Sequence, residues 1–317
     1  MNAPASSAAS ALAAIRVDGL TRRFGEVVAV DALSFEVRSG ELFGLVGPDG
    51  AGKTTTLRML AGVLVPTAGD ATLGGVSVAR DPEGVKHEIA YMSQRFGLYA
   101  DLTVLENLSF YADLYRVPKA ERAARLERLF QFSNLAPFKD RLAGKLSGGM
   151  KQKLGLSCAL IHQPKILLLD EPTFGVDPIS RRDLWLIVHD MVAQGVTVVV
   201  STAYMDEAER FDRVALLYQG RLLAVDSPQA LQDALDGEVL VVEVAPARAA
   251  RDLLRQHPLV KRAALFGDKL HVTVASAANA APQVEQALRD AGLARGEIVT
   301  ELPSMEDVFI ERMTEAA

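Results

Sequence analysis

The 317-residue sequence predicts an α/β fold, a mainly parallel sheet flanked by helices and followed by a smaller α/β unit. Three observations carry this expectation. The compact apolar run Leu42 to Val46 leads into a glycine-rich loop and then a helical pattern from Thr54 to Leu60. Two more apolar runs, Ile166 to Leu169 and Val196 to Val200, flank a helical stretch from about Ser180 to Ala193, the rhythm of buried parallel strands. After Leu235-Asp236-Gly237 the pattern becomes strand, helix, strand, strand, helix, strand, the order of a ferredoxin-like sandwich.

Residues 1–14 are mostly Ala, Ser and Pro, without the charged start and Leu-rich run of a secretory signal, and read as a disordered tail. From Ile15 to about Leu42 short strands alternate with turns, among them Phe35-Glu36-Val37 before Ser39-Gly40. The segment from about 85 to 162 is expected to be mostly helical, with Leu105 to Leu114 and Lys119 to Phe132 carrying apolar residues at helical spacing. The charges at Lys119, Glu121, Arg122, Arg125 and Glu127 mark a solvated helix face. In the second unit, Val239 to Val244 reads as a strand and Ala247 to Gln256 as a helix, with a hairpin turn at Gly267-Asp268. A helix over Pro282 to Ala291 and a strand over Glu297 to Leu302 follow. Ser304, with Asp307 three residues on, opens a last helix as an acidic variant of the capping box.

Composition excludes several classes. Hydrophobic residues make up 49% and charged residues 23%, far from the signature of disorder. The net charge is −6, and the last unit, from Glu238 on, holds 9 basic and 12 acidic residues, so nucleic acid is not expected as a partner. Cys158 is the only cysteine, which rules out an internal disulfide and suits a reducing cytosol. The longest apolar runs are a strand long, well short of the ~20 residues of a membrane helix, so any membrane role is peripheral.

The chemistry concentrates in two places. Gly47, Pro48, Asp49, Gly50, Ala51, Gly52, Lys53 and Thr54, followed by Thr55, fit a loop whose backbone N–H groups wrap phosphates at a helix N-terminus. Glycines admit the anion, Lys53 reaches the β- and γ-phosphates, and the Thr54 hydroxyl ligates Mg²⁺. The strand Ile166 to Leu169 ends in Asp170-Glu171. There Asp170 would hold the magnesium through its water shell and Glu171 would orient or deprotonate the attacking water. An acid pair at a strand end also fits a cap for the next helix.

Leu146-Ser147-Gly148-Gly149-Met150, placed between those motifs, resembles the signature of ABC ATPases, with Met150 where Gln is commonest. The resemblance covers about Ile15 to Leu235 and implies a P-loop NTPase of ABC type, with a parallel sheet core, an antiparallel β subdomain and a helical subdomain. It implies that ATP and Mg²⁺ are bound, and that Ser147, Gly148 and Gly149 face the γ-phosphate of ATP held by a second nucleotide-binding subunit, in a homodimer or heterodimer. Phe24 resembles the aromatic that stacks on adenine, although Phe at such a place also fits a core. Gln94 resembles the glutamine that senses magnesium and links to the helical subdomain. Gly175-Val176-Asp177-Pro178 resembles the loop that crosses to the partner. One position departs from the family: Ser201-Thr202-Ala203 stands where Ser-Thr-His is usual, so the γ-phosphate donor is missing.

These features imply the ATP-binding subunit of a bacterial exporter of drug or multidrug type, with an accessory domain over residues 236–317 that contains Pro303-Ser304-Met305-Glu306-Asp307-Val308-Phe309. Its membrane passage would come from a separate subunit, and the chain would work in the cytoplasm on the inner face of the cell membrane. An importer ATPase, a soluble ABC ATPase without transport, and a regulatory ATP-binding module are the rival readings.

Overall fold

The computed structural model describes residues 13–94 and 97–315, apart from the side chains at 294 and 295. The first strand, β1 (Ala13–Phe24), starts two residues before the end of the expected tail, whose residues 1–12 lie outside the described residues. β1 turns at Gly25, whose φ of 57° suits glycine, into β2 (Val27–Arg38). Alternation of Ile15 and Val17 with charged neighbours buries one face of this hairpin.

Next come β3 (Leu42–Val46), α1 (Lys53–Leu60), β4 (Ala68–Leu73), β5 (Val76–Ser77), α2 (Pro82–Glu88) and β6 (Ile89–Met92). β6 is a short strand inside the segment expected to be mostly helical from about residue 85. Its four residues are too few to show a period in sequence, and they gain strand structure by pairing in parallel with β7 (Ile166–Asp170). Between these strands lie α3 (Val104–Leu114), α4 (Lys119–Ser133) and α5 (Gly148–Leu160). α3 opens with a Thr103/Glu106 capping box, and α4 stops where Asn134 turns left-handed. Cys158 is buried in α5, and burial pushes its thiol pKa far up, so it serves packing. The unit closes with α6 (Pro178–Ala193), β8 (Thr197–Thr202), β9 (Arg213–Tyr218) and β10 (Arg221–Asp226).

Two sheets result. β2-β1-β4-β5 is antiparallel, while β10-β9-β3-β8-β7-β6 holds five parallel strands from β9 to β6. Every residue of β3, β7 and β8 is buried, which is why these strands read as unbroken apolar runs. Leu57 and Leu60 of α1 pack with Phe35 and Val37 of one sheet and Leu45, Leu168 and Val199 of the other into one core. Burial stabilises each such side chain by about 1.5–3 kcal/mol.

The second compact unit starts at Asp226, earlier than the change of pattern at Leu235. The difference is α7 (Pro228–Asp233), capped by Ser227, which packs against the distant α10 (Met305–Glu315) and so gives no local signal. β11 (Glu238–Ala245), α8 (Ala247–Leu254), β12 (Val260–Phe266), β13 (Lys269–Val274), α9 (Ala277–Asp290) and β14 (Ala294–Glu301) follow, and the four strands form an antiparallel sheet ordered β12-β13-β11-β14. This is the ferredoxin-like order. α9 starts earlier than expected and keeps Pro282 inside it, because Ala277, Ala280, Val284 and Leu288 form a continuous buried stripe.

α10 is held by polar contacts. Ser304 and Asp307 form the expected reciprocal cap, and His271 Nδ1 of β13 lies 3.1 Å from both Asp307 carboxylate oxygens. Burial pushes the Asp307 pKa up, but the His271 and Ser304 hydrogen bonds outweigh it and hold the carboxyl below its ordinary 3.8. A depressed folded-state pKa stabilises fully above the unfolded value and loses that contribution as pH falls through the folded one. Asp307→Asn is therefore expected to lower the opening free energy of Met305–Glu315 by about 1–3 kcal/mol at neutral pH. Amide hydrogen exchange measures this, and the gap between wild type and variant should shrink below about pH 4.

Candidate functional site

The phosphate-type loop sits where β3 ends and α1 begins. Gly50 and Gly52 have φ of 79° and 98°, a region that side chains other than glycine disfavour. A Cβ at Gly47 would lie 2.2 Å from the Leu217 carbonyl oxygen, and one at Gly52 would lie 2.7 Å from that of Ala29. The loop is therefore held against its neighbours by glycine itself. α1 starts at Lys53 with no side-chain cap, so its N-terminal N–H groups and the positive end of its dipole face the loop.

Lys53 is buried and donates from Nζ to the carbonyls of Gly47 and Pro48, at 2.8 and 3.0 Å. The same ammonium lies 3.3 Å from Glu171 Oε1. Gln94 Nε2 donates to the other oxygen, Glu171 Oε2, at 2.9 Å. One carboxylate thus joins the loop, the end of β7 and the segment after β6. Glu171 takes a left-handed φ of 48°, unusual for a side chain with a Cβ, and its N–H is fixed by donation to Ser201.

Asp170 is the neighbouring acceptor. Its Oδ1 receives the hydroxyls of Thr54 at 2.9 Å and Ser201 at 2.7 Å, and Tyr91 donates to Oδ2 at 3.3 Å. Burial and then the Asp170 charge push the Tyr91 pKa up to about 12, so the phenol stays a donor at neutral pH. Among the described residues no group of three or more His, Cys, Asp and Glu is placed to hold a metal. The Thr54 hydroxyl, the Asp170 carboxylate and the Gln94 amide are hard oxygen donors beside a phosphate loop, a set that fits Mg²⁺ completed by phosphate oxygens and water.

Lys53, Thr54, Gln94 and Glu171 line a cleft of about 430 Å³ together with loop residues from Asp49 to Gly52, Thr55, Ala29 and Phe174, with Asp170 behind it on Thr54. The other sequence candidates lie elsewhere. Phe24 ends β1, exposed, with the Arg22 guanidinium 4.6 Å from its ring centroid, and does not line the cleft. Ser147 caps α5, its Oγ accepting from Met150 N at 3.3 Å, and Gly148 and Gly149 form the first turn. A Cβ at Gly149 would sit 2.2 Å from Ser180 Oγ, so this turn lies tight against the start of α6, where Asp177 is the cap. None of the three lines the cleft. Ala203 follows β8 directly, and the carbonyl of Thr202 before it accepts the Gly47 N–H at 3.3 Å. Residue 203 is thus beside the loop but supplies no side-chain donor.

Sequence reasoning missed Tyr91 and Ser201. The signal for Ser201 was its place at the end of an apolar run, since parallel register pairs it with Asp170. No comparable signal marked Tyr91, which reaches Asp170 only across β6 and β7.

The model of the ABC transporter family matches residues 30–174. The "Probable multidrug ABC transporter ATP-binding protein YbhF" of Escherichia coli is 48% identical over 246 residues, which cover 77% of this chain but 42% of that protein. The chain therefore spans less than half the length of that relative. The "Daunorubicin resistance ATP-binding protein DrrA2" of Streptomyces coeruleorubidus is 34% identical over 94% of both chains. The "Nod factor export ATP-binding protein I" of a Rhizobium species is 37% identical over 94% of this chain and 96% of its own. Among solved structures, an ATP-binding subunit of an ABC transporter superposes with a TM-score of 0.64 at 30% identity, covering 69% of this chain and 92% of its own. A dimeric post-hydrolysis state of the ATP-binding cassette MJ0796 with ADP and phosphate gives 0.61 at 25% identity, covering 67% and 98%.

The close approach of Gly52 to Ala29 makes a direct test. Gly52→Ala is expected to destabilise the chain by about 1–3 kcal/mol in chemical denaturation, from strained φ and collision. It should also weaken a fluorescent nucleoside triphosphate by about tenfold or more in a direct titration.

Proposed function

The chain belongs to the ATP-binding proteins of ABC transporters, and from that premise we propose that it couples ATP to export through a separate membrane subunit. The observation that carries the reading is the convergence of Lys53 and Gln94 on the Glu171 carboxylate, beside Thr54 on Asp170. The glycine loop and the α1 N-terminus bind the phosphates, and Lys53 offsets their charge. Thr54, Asp170 and Gln94 would hold Mg²⁺, which when bound would neutralise charge on the phosphoryl oxygens. Glu171 is the group that orients or deprotonates the attacking water, and Gln94 reports its state to α3 and α5.

Ala203 sets the expected speed. A donor to the γ-phosphate is absent at this position, and removing one such donor lowers rates by about 10²–10³ in other enzymes. The chain then acts in an asymmetric dimer: its own ATP turns over slowly, while Ser147 and Gly149 are offered to ATP in the other subunit. The placement of that turn outside the chain's own cleft supports this division. ATP binding closes the dimer and hydrolysis reopens it. No helix among the described residues is long and apolar enough to cross a membrane, in keeping with a peripheral subunit on its inner face. The drug-resistance and export relatives favour a drug or multidrug exporter, with residues 236–317 as an accessory domain. A regulatory module that binds ATP with little turnover is the second reading, favoured by Ala203 and opposed by Glu171.

The steady-state ATPase rate of the purified chain separates these readings. Glu171→Gln is expected to lower turnover about 10²-fold or more, the lower end of general-base contributions. Ala203→His should raise it, and fast wild-type turnover that Ala203→His leaves unimproved would exclude the asymmetric dimer.

A further inference from the structure

Glu207 lies in the short turn Met205–Arg210 after β8, only 1% exposed, and no step above uses it. Its Oε2 accepts the Thr202 hydroxyl at 2.6 Å and the Thr173 hydroxyl at 3.1 Å. Its Oε1 accepts the Trp185 indole N–H at 3.3 Å, with Arg181 Nε 3.8 Å away. Each donor comes from a different part of the site. Thr202 precedes Ala203, and its carbonyl holds the first N–H of the phosphate loop. Thr173 stands two residues after Glu171, in a turn closed by Phe174 N–H donating to the Glu171 carbonyl at 3.1 Å. Trp185 and Arg181 belong to α6, whose cap Asp177 lies in the segment that resembles the crossing loop.

A carboxylate buried this completely, with three neutral donors and one loosely placed cation, is an expensive way to fill space. An apolar side chain would pack there with no desolvation cost. What only the carboxylate does is bond all three elements through two oxygens. We propose that Glu207 is a positioning residue that ties the flank of Ala203, the turn behind Glu171 and α6 into one unit. Nucleotide seated on the glycine loop is then felt at α6. The inference rests on the ATP-binding reading above. It also gives the chain an internal probe, since Trp185 is the only tryptophan in the sequence and donates directly to Glu207.

The test uses the full chain as wild type, Glu207→Gln and Thr173→Val, following Trp185 emission as ATP is added and measuring affinity separately with radiolabelled ATP. The wild type is expected to change emission on binding. Both variants should bind ATP within about threefold of wild type yet lose the ATP-induced change. Should Glu207→Gln fail to fold by circular dichroism, Thr173→Val, which deletes a single donor, carries the comparison. A wild type that binds no ATP sinks the underlying ATP-binding reading. A wild type that binds ATP with silent Trp185 emission overturns the linkage, as do variants that keep the full response. Loss of affinity in parallel with the response makes Glu207 merely structural and overturns it too.

Discussion

The buried ion pair between Lys53 and Glu171 is the contact around which the first unit is organised. Lys53 belongs to the helix that leaves the glycine loop, Glu171 to the end of a strand more than a hundred residues on. Neither charge is affordable in that interior alone, and removing one partner of such a pair typically costs about 3–5 kcal/mol. Here the remaining valences are filled: the ammonium by two loop carbonyls, the carboxylate by Gln94. A site that satisfies its charges internally is preorganised, and small changes in what the ammonium touches reach Gln94 through one side chain.

The parallel sheet explains why these groups meet. β3, β7 and β8 run in the same direction, so their C-terminal ends lie at one edge, where open α/β sheets place ligands. Each strand is buried along its whole length, and polarity begins abruptly at its last residues or just beyond them: Gly47 after β3, Asp170-Glu171 at β7, Ser201-Thr202 at β8. Hydrogen bonds then run across the edge, from Ser201 and Thr54 to Asp170 and from Gly47 to Thr202. Ala203 interrupts this polar edge.

The second unit solves a separate problem. Its central strand β11 is apolar on both faces, and α8 and α9 cover one of them around Leu240, Val242 and Leu270. α10 is brought in by Asp307, which caps the helix and pairs with His271 at once. One carboxylate sets both where that helix starts and what it docks on.

Much of this was legible in the residues. The glycine loop, the apolar runs and the Ser304 cap are local patterns, and local backbone sterics and periodicity decide them within a few positions. The Asp170-Glu171 pair was legible as chemistry because two acids ending an apolar strand are costly without a purpose. The extent of the second unit, the strand β6, and the roles of Tyr91 and Ser201 were not, because each depends on a partner remote in sequence. Glu207 shows the limit most clearly: as a letter in Met205-Asp206-Glu207-Ala208 it is one acid among several charges. Sequence alone determined which groups this chain has to grip a phosphate. Only the tertiary structure decided which carboxylate is buried and which three donors close on it, because burial and parallel register are properties of the packed sheet.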